Sequence, residues 1–487
     1  MPSGFLGYPQ REGLEYKLDK GTESLRQYVQ SQIIAGPSVD IERVARYEMY
    51  WRFYEGEHWR AFNDTLLSFN YIAAFINKIN TFLVGDKPIT FKVTAYDNTT
   101  VSPEVESKLE GIIERVWNKN KKMQVVKGLL QCGSVTGDVW CLVEYDKTKK
   151  YSILNILDSR QCFPVFKHGD ITNMESFTVR MPLLENDKKY KVFVKSFTKD
   201  VIKTWYQKDT TNNETTEKFE PSEETNTYGY IPLVHIQNSL NSKGYFGYSD
   251  ARDILKINKL YNEKAQEMNN IIDYYGTPTT VITGANARGL VKQLGNIWSG
   301  LPPEANVFNL SLGEDLSGFI QYMKEILKTG MHEIGDVPEN ALGKIQAISN
   351  TSAAALQITY QPLIQQAGNK ALMYGDGISE INTMILDQER RMGGNTSVSE
   401  KEIDTFVISP VWTYGLPYDR LSDLQQAQIE SQLKISSRSA IMNRLGVKDV
   451  PSALDEIDED LLRLKELDLN GIMNQGENNF NAPPNEE

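Results

Sequence analysis

Cysteine is scarce: Cys132, Cys141 and Cys162 are the only three in 487 residues, and none falls at CxxC spacing. An odd, widely spaced set builds no disulfide framework, and the chain reads as a product of a reducing compartment. Histidine is equally thin, at His58, His168, His235 and His332. His332-Glu333 is followed by Gly335 and Asp336 instead of a second histidine, so zinc-protease spacing is missing and no metal is expected. No run of about 18 apolar residues exists to cross a bilayer. The opening MPSGFLGYPQREGLEYKLDK has no apolar stretch behind a basic start, so the expectation is a soluble chain without a membrane partner. A basic excess is also lacking: 52 Lys and Arg stand against 64 Asp and Glu, for a net charge of −12. Clamping nucleic acid by phosphate neutralisation requires the opposite balance, although a duplex could still slide past an acidic wall. No GxSxG or GxGxxG links a strand to a helix. Gly335 to Lys344 fails as a phosphate loop, because Pro338 stands where glycine is needed and Ile345 replaces Ser or Thr. No cofactor is expected.

What is present is 40% hydrophobic and 10% aromatic residues, enough for a sizeable core and more than one domain. Apolar spacing predicts helices over Ser38–Phe53, ending at YEGEHW with Gly56, and over Asn70–Val84, followed by a strand at PITFKV. A helix from Pro103 to Trp117 continues into the apolar stretch Val125–Leu130. Short strands follow at Val139–Tyr145, Tyr151–Ile156, Phe177–Arg180, Tyr190–Phe197 and Val201–Tyr206, with a polar hairpin or loop over Lys208–Thr227. The texture then turns to long helix. Ile254, Ile257, Tyr261, Ala265, Met268, Ile272 and Tyr275 form one stripe over Asp250–Tyr275. Gly276 and Pro278 break it before a small β-containing excursion to Gly313. Leu316, Ile320, Met323 and Leu327 restart a helix to Ile334.

Gly335–Asn350 is an ordered but mobile loop, and beyond it lies the longest signal in the chain. Leu356, Tyr360, Leu363, Ala367, Ala371, Tyr374, Ile378, Ile381 and Ile385 predict a helix from Thr351 to Arg391, roughly 60 Å long. Pro362 should kink it, and Gly375 and Gly377 should weaken it. A strand is expected over Glu402–Trp412 and helix from Tyr418. After Ala440 eleven acidic residues face four basic ones, and GENNFNAPPNEE carries no core-forming pattern.

The segments YEGEHW, NYIAAFINKINTFLVGDKPITF, GYSDARDILKINKLYNEKAQEMNNIIDYYGTPTTVITG, GKIQAISNTSAAALQITYQPL and SRSAIMNRLGVKDVPSALDEIDEDLL, in that order and spacing, resemble the portal proteins of tailed bacteriophages over nearly the whole chain. The resemblance implies an α+β, ring-forming portal fold. Its parts would be a wing (1–249 and 394–417), a helical stem (250–275 and 314–334) and a small β-containing clip (276–313). A tunnel loop (335–350), a long helix (351–393), a helical crown (418–472) and a disordered tail (473–487) complete it. It further implies a homo-oligomeric ring, of 12 copies in the virion or 13 in isolation, at one capsid vertex and assembled in the host cytoplasm.

Double-stranded DNA would pass through the ring during packaging and ejection. The terminase large subunit, and later a head-tail adaptor, would dock on it, beside the major capsid and scaffolding proteins. On this reading Lys344, Asn340 and Gln346 of the tunnel loop touch DNA phosphates, while Arg288 and Lys292 of the clip serve packing or docking. The energy source would be the terminase, and this chain no enzyme. The rival reading is a virion-associated hydrolase that uses a carboxylate pair hidden among the many acidic residues. Independently of family, a 60 Å helix estimated from rise per residue suits subunits packed around an axis better than a compact monomer.

Overall fold

The computed structural model describes residues 40–57, 67–85, 88–96, 101–168, 170–184, 190–208, 222–242, 244–276, 280–285, 301–309, 316–343, 353–394, 398–415, 420–447 and 449–463. It divides into a large unit, Met1–Ser349 with Ile358–Gly415, and a small one, Asn350–Gln357 with Leu416–Glu487.

In the large unit the chain opens with α1 (Ile41–Tyr54) and α2 (Tyr71–Val84). The Asn70 side chain caps α2 by accepting the Ala73 amide at 3.0 Å, satisfying one of the amides a helix start leaves unpaired. Ile72, Phe75, Ile76, Ile79 and Leu83 then bury one face. β1 (Thr90–Ala95) alternates exposed and buried positions, as a strand with one wet face must. The expected Pro103–Leu130 helix is in fact two, α3 (Pro103–Lys119) and α4 (Lys122–Thr136). They are separated where Lys121 takes a left-handed backbone, φ 59°, and where the Asn120 side chain caps the Val116 carbonyl.

β2 (Asp138–Asp146) follows, then β3 (Tyr151–Leu157), β4 (Cys162–Lys167), β5 (Asp170–Leu184), β6 (Tyr190–Thr198), β7 (Val201–Lys208), β8 (Ser222–Thr225) and β9 (Leu233–Gln237). The strands form a three-stranded sheet in the order β3-β2-β9 and a five-stranded meander β4 to β8, all antiparallel. Six consecutive residues of β2 are buried because the strand is covered on both faces. Val139, Cys141 and Val143 point into the helical core, while Trp140 and Leu142 join Phe177, Val179 and Phe197 in a second cluster under the meander. The run VWCLV is therefore continuous instead of alternating, as two-sided burial requires.

Next come α5 (Ala251–Gly276), the ribbon of β10 (Thr280–Thr283) and β11 (Asn306–Asn309), α6 (Ser317–Gln321), a π-helical stretch Tyr322–Lys328, and α7 (Thr329–Ile334). In α8 (Ala353–Arg391) the helix is unbroken through Pro362. Its buried positions Leu363, Ala367, Lys370, Tyr374, Ile378, Ile381 and Ile385 recur every three or four residues. Gly377, read from sequence as a weak point, is a point of close approach: a Cβ there would lie 2.3 Å from the Ile236 side chain of β9.

Instead of one strand over Glu402–Trp412 there is α9 (Glu400–Thr405) and then β12 (Phe406–Val411), which pairs antiparallel with β1. The cause is a capping box in which Ser399 and Glu402 satisfy each other's backbone amides.

The small unit contains α10 (Arg420–Gln432), α11 (Arg438–Arg444) and a helical run over 450–463. Ala427, Ile441 and Val450 are its buried apolar residues, and Arg444 bridges Glu430 at 2.8 Å.

Candidate functional site

The region singled out by sequence begins where α5 leaves the sheet. Its first anchor is a buried charge pair: Lys370 Nζ of α8 lies 2.6 Å from Asp250 Oδ2 and donates to Ser134 Oγ at 2.6 Å and Asn238 Oδ1 at 2.7 Å. Asn238 returns a hydrogen bond to Asp250 Oδ1 at 2.7 Å, and the Tyr374 hydroxyl donates to Asn238 at 3.1 Å. Burial pulls the Lys370 ammonium below the ordinary lysine value, and Asp250 opposes that shift. One residue thus ties α8, the end of α4, the bend just after β9 and the residue that precedes α5.

Along α5 a polar ladder takes over. Asn258, Asn262 and Gln266, at i, i+4 and i+8, share one face and are buried. Gln266 Oε1 accepts the Leu67 amide at 3.0 Å, and Asn262 Oδ1 accepts the Phe69 amide at 2.8 Å. Asn258 Nδ2 donates to the Phe69 carbonyl at 2.8 Å. The three amides satisfy the backbone of a segment that has no secondary-structure partner of its own, which is what lets residues 67–70 lie on α5. The sequence reading followed the apolar stripe and passed over this ladder, although its four-residue spacing is legible.

The following hairpin partner packs Met323 and Leu327 on Ala265, with Ile257, Leu260, Tyr261 and Phe319 around them. Burial pushes the Tyr261 hydroxyl up to about 12. In the π stretch the Thr329 hydroxyl and amide both donate to the Lys324 carbonyl. An open apolar groove of about 360 Å³ runs between the two elements, lined by Phe69, Met268, Ile272 and Ile320 and edged by Lys324 and Lys328. On the same two elements large apolar side chains are exposed: Ile272, Tyr275, Ile320, Tyr322 and, at 61%, Ile326. A monomer gains nothing from such a ridge.

At the end of α7 the chain is pinned. Met331 and His332 are buried, with the His332 ring 5.1 Å from the Phe75 ring. The Val337 carbonyl can only accept, so His332 Nδ1, 2.7 Å away, carries the proton. Gly335 presses on Phe75, where a Cβ would sit 2.6 Å from the ring. A 3₁₀ turn, Glu339–Leu342, follows, with Lys328 Nζ 3.4 Å from Glu339. The described first half of the expected loop is therefore fixed on α2 by packing and by Val337, which is fully buried. Asn340 lies half-buried in that turn and its carbonyl accepts the Gly343 amide. Lys344 and Gln346 lie outside the described residues, as do Arg288 and Lys292, so the five expected site residues are not seen together.

One acid and one histidine do approach each other, His235 Nε2 and Asp138 Oδ1 at 2.8 Å. Asp138 is fully buried and also accepts Tyr47 and the Gly247 amide, while His235 is stacked on Trp140 and Tyr245. This is a buried core network that holds β2 and β9 to α1. Among the described residues no three His, Cys, Asp or Glu side chains are grouped to hold a metal, and no helix is long and apolar enough to cross a membrane.

A family model described as phage portal protein, SPP1 Gp6-like, matches residues 38–466. No curated protein matches the chain. Among solved structures, a chain from the virion of a native gene transfer agent (GTA) particle is 11% identical with a TM-score of 0.44, covering 86% of this chain and 99% of that one. A chain from the neck of the native GTA particle computed with C12 symmetry is 10% identical with a TM-score of 0.41, covering 77% and 90%.

Proposed function

From the chain's membership of the SPP1 Gp6-like phage portal protein family, we propose that it is the ring subunit of the channel at one capsid vertex, through which double-stranded DNA enters and leaves. The family match across residues 38–466 carries this reading. On it, α5 with α6, the π stretch and α7 forms the stem, the β10–β11 ribbon belongs to the clip, and 335–350 is the tunnel loop. Residues 351–393 would be the long helix, 1–249 with 394–417 the wing, and 418–472 the crown. Ring closure gives the exposed Ile272, Ile320 and Ile326 a physical purpose, since neighbouring copies would bury them. At about 1.5–3 kcal/mol per buried large aliphatic side chain, three such residues per subunit contribute materially to assembly.

The terminase motor and then a head-tail adaptor would dock on the clip through Arg288 and Lys292, with capsid and scaffolding proteins against the wing. No catalytic step is assigned to this chain. In the tunnel loop Lys344, with Asn340 and Gln346, would make brief phosphate contacts; few contacts suit a duplex that must slide, because each neutralised phosphate steepens the salt-dependent affinity. A DNA packaging assay with Lys344→Glu tests that role. Reduced translocation or retention is expected, and wild-type packaging would remove Lys344 from the mechanism.

A further inference from the structure

In a chain of net charge −12, one surface is strongly basic. Lys119 and Lys121 stand at the corner between α3 and α4, and Lys147, Lys149 and Lys150 fill the turn between β2 and β3; all five are exposed. The two groups form one face. Lys119 Nζ sits 4.8 Å over the ring of Tyr151, the residue that follows the turn. The Asn120 side chain bonds the Ser152 carbonyl and the Leu154 amide of the same strand. The nearby carboxylates are already engaged: Glu114 with Lys122 at 2.8 Å, Glu389 with Arg115 at 2.9 Å, and Asp146 with the amides of Thr148 and Lys149 and, at 3.8 Å, with the Lys149 ammonium. Among the described residues Lys121, Lys147 and Lys150 pair with no carboxylate.

Residue choice points the same way. Lys121 and Lys150 both hold left-handed backbones, φ 59° and 60°, where glycine or asparagine would be selected for conformation alone. Lys121 and Lys122 also begin α4, whose first turn has no acidic residue, although its dipole favours acids there. Neither backbone preference nor helix electrostatics accounts for lysine at 121 and 150.

We propose that this corner is a phosphate-backbone contact site for double-stranded DNA, separate from the tunnel loop and independent of base sequence. Lysines on flexible stems, with none of the exposed large apolar side chains in the 115–151 stretch, suit sequence-independent contact with a row of phosphates. The choice of duplex DNA over an acidic protein as the ligand rests on the portal reading. The site is weak in one copy and gains strength when repeated around a ring along one DNA molecule.

The test is a titration of a fluorescent duplex of random sequence with the full-length chain, by anisotropy, between 50 and 200 mM salt. Each phosphate neutralised adds about 0.9 to the steepness of log K against log salt. The quadruple variant Lys119→Gln, Lys147→Gln, Lys149→Gln, Lys150→Gln is expected to lower that steepness by up to about 3.6, and the four Lys→Arg replacements to retain it. Circular dichroism verifies the fold of both variants. An unchanged slope in the glutamine variant, or wild-type protein that binds no duplex at 50 mM salt, overturns the site. So does polyglutamate displacing the duplex at equal charge, which would assign the corner to an acidic protein. Mass measurement of the same samples separates the two ideas: a closed ring with an unaltered slope sinks the lysine site alone, and a monomer with the expected slope loss sinks the ring alone.

Discussion

Replacing Lys370 by methionine keeps the side-chain stem and removes the ammonium from the junction of α8 and α5. Asp250 then keeps a single hydrogen bond, from Asn238 at 2.7 Å, in a site where it is 8% exposed. Breaking a buried pair by deleting one partner costs about 3–5 kcal/mol, mostly for the uncompensated charge left behind. The folding constant of the large unit should fall by a factor of roughly 10² to 10⁴ at that cost. The double variant Lys370→Met, Asp250→Asn removes both charges and should cost less than the sum of the singles by about 2 kcal/mol or more. Urea unfolding at fixed protein concentration, followed through the buried Trp117 and Trp140, reads these differences. The pH dependence has a definite sign. Because the Lys370 value is depressed in the folded state, its contribution is complete above the unfolded value of roughly 10.4 and is lost as pH falls through the lower folded value. Stability should therefore rise with pH across that window in the wild type, and this component should vanish in Lys370→Met. A single-variant cost under about 1 kcal/mol, or strict additivity, would refute the role of the pair.

Asn262→Leu should cost about 1–3 kcal/mol, since it strands the Phe69 amide; hydrogen exchange at residues 67–72 should accelerate locally, and unchanged protection there would count against the ladder. Gly377→Ala should destabilise by about 1–3 kcal/mol through collision with Ile236, read as a lowered unfolding midpoint, whereas a neutral result would mean that β9 yields easily. Burial pushes the Cys132 and Cys141 thiols up to about 12, so at pH 8 their thiolate fraction is about a thousandfold below that of an ordinary thiol. Native protein should resist iodoacetamide and label only in denaturant; rapid native labelling at either position would contradict their packing.

The long helices were readable because their apolar residues recur at three or four positions, and α5 and α8 follow that spacing closely. Sequence placed Ala371 on the α8 stripe, whereas the structure buries the neighbouring Lys370; periodicity alone gives a charged residue no reason to turn inward, and only Asp250, Ser134 and Asn238 supply one. The four-residue spacing of Asn258, Asn262 and Gln266 is legible, but it gives no sign of burial for a related reason. Polar residues on one helix face read as solvated until a partner backbone is known. Lys121 split an expected single helix because a left-handed lysine leaves no mark in an apolar pattern. Glu402–Thr405, expected as strand, is helix through the Ser399–Glu402 capping box, a signal that was present in the residues and outweighed by the β-rich FVISPV that follows. Of the proposed site residues, Asn340 is placed in a pinned turn, and the turn is fixed by Gly335 and Phe75, whose contact no spacing announces.

The most direct test of the ring is the native mass of the purified full-length chain at micromolar concentration, with end-on electron micrographs of the same sample. A closed annulus of 12 or 13 copies, lost when Ile320 and Ile326 are both replaced by aspartate, is the expected result. A stable monomer that leaves the Ile272, Ile320 and Ile326 ridge in water would contradict it.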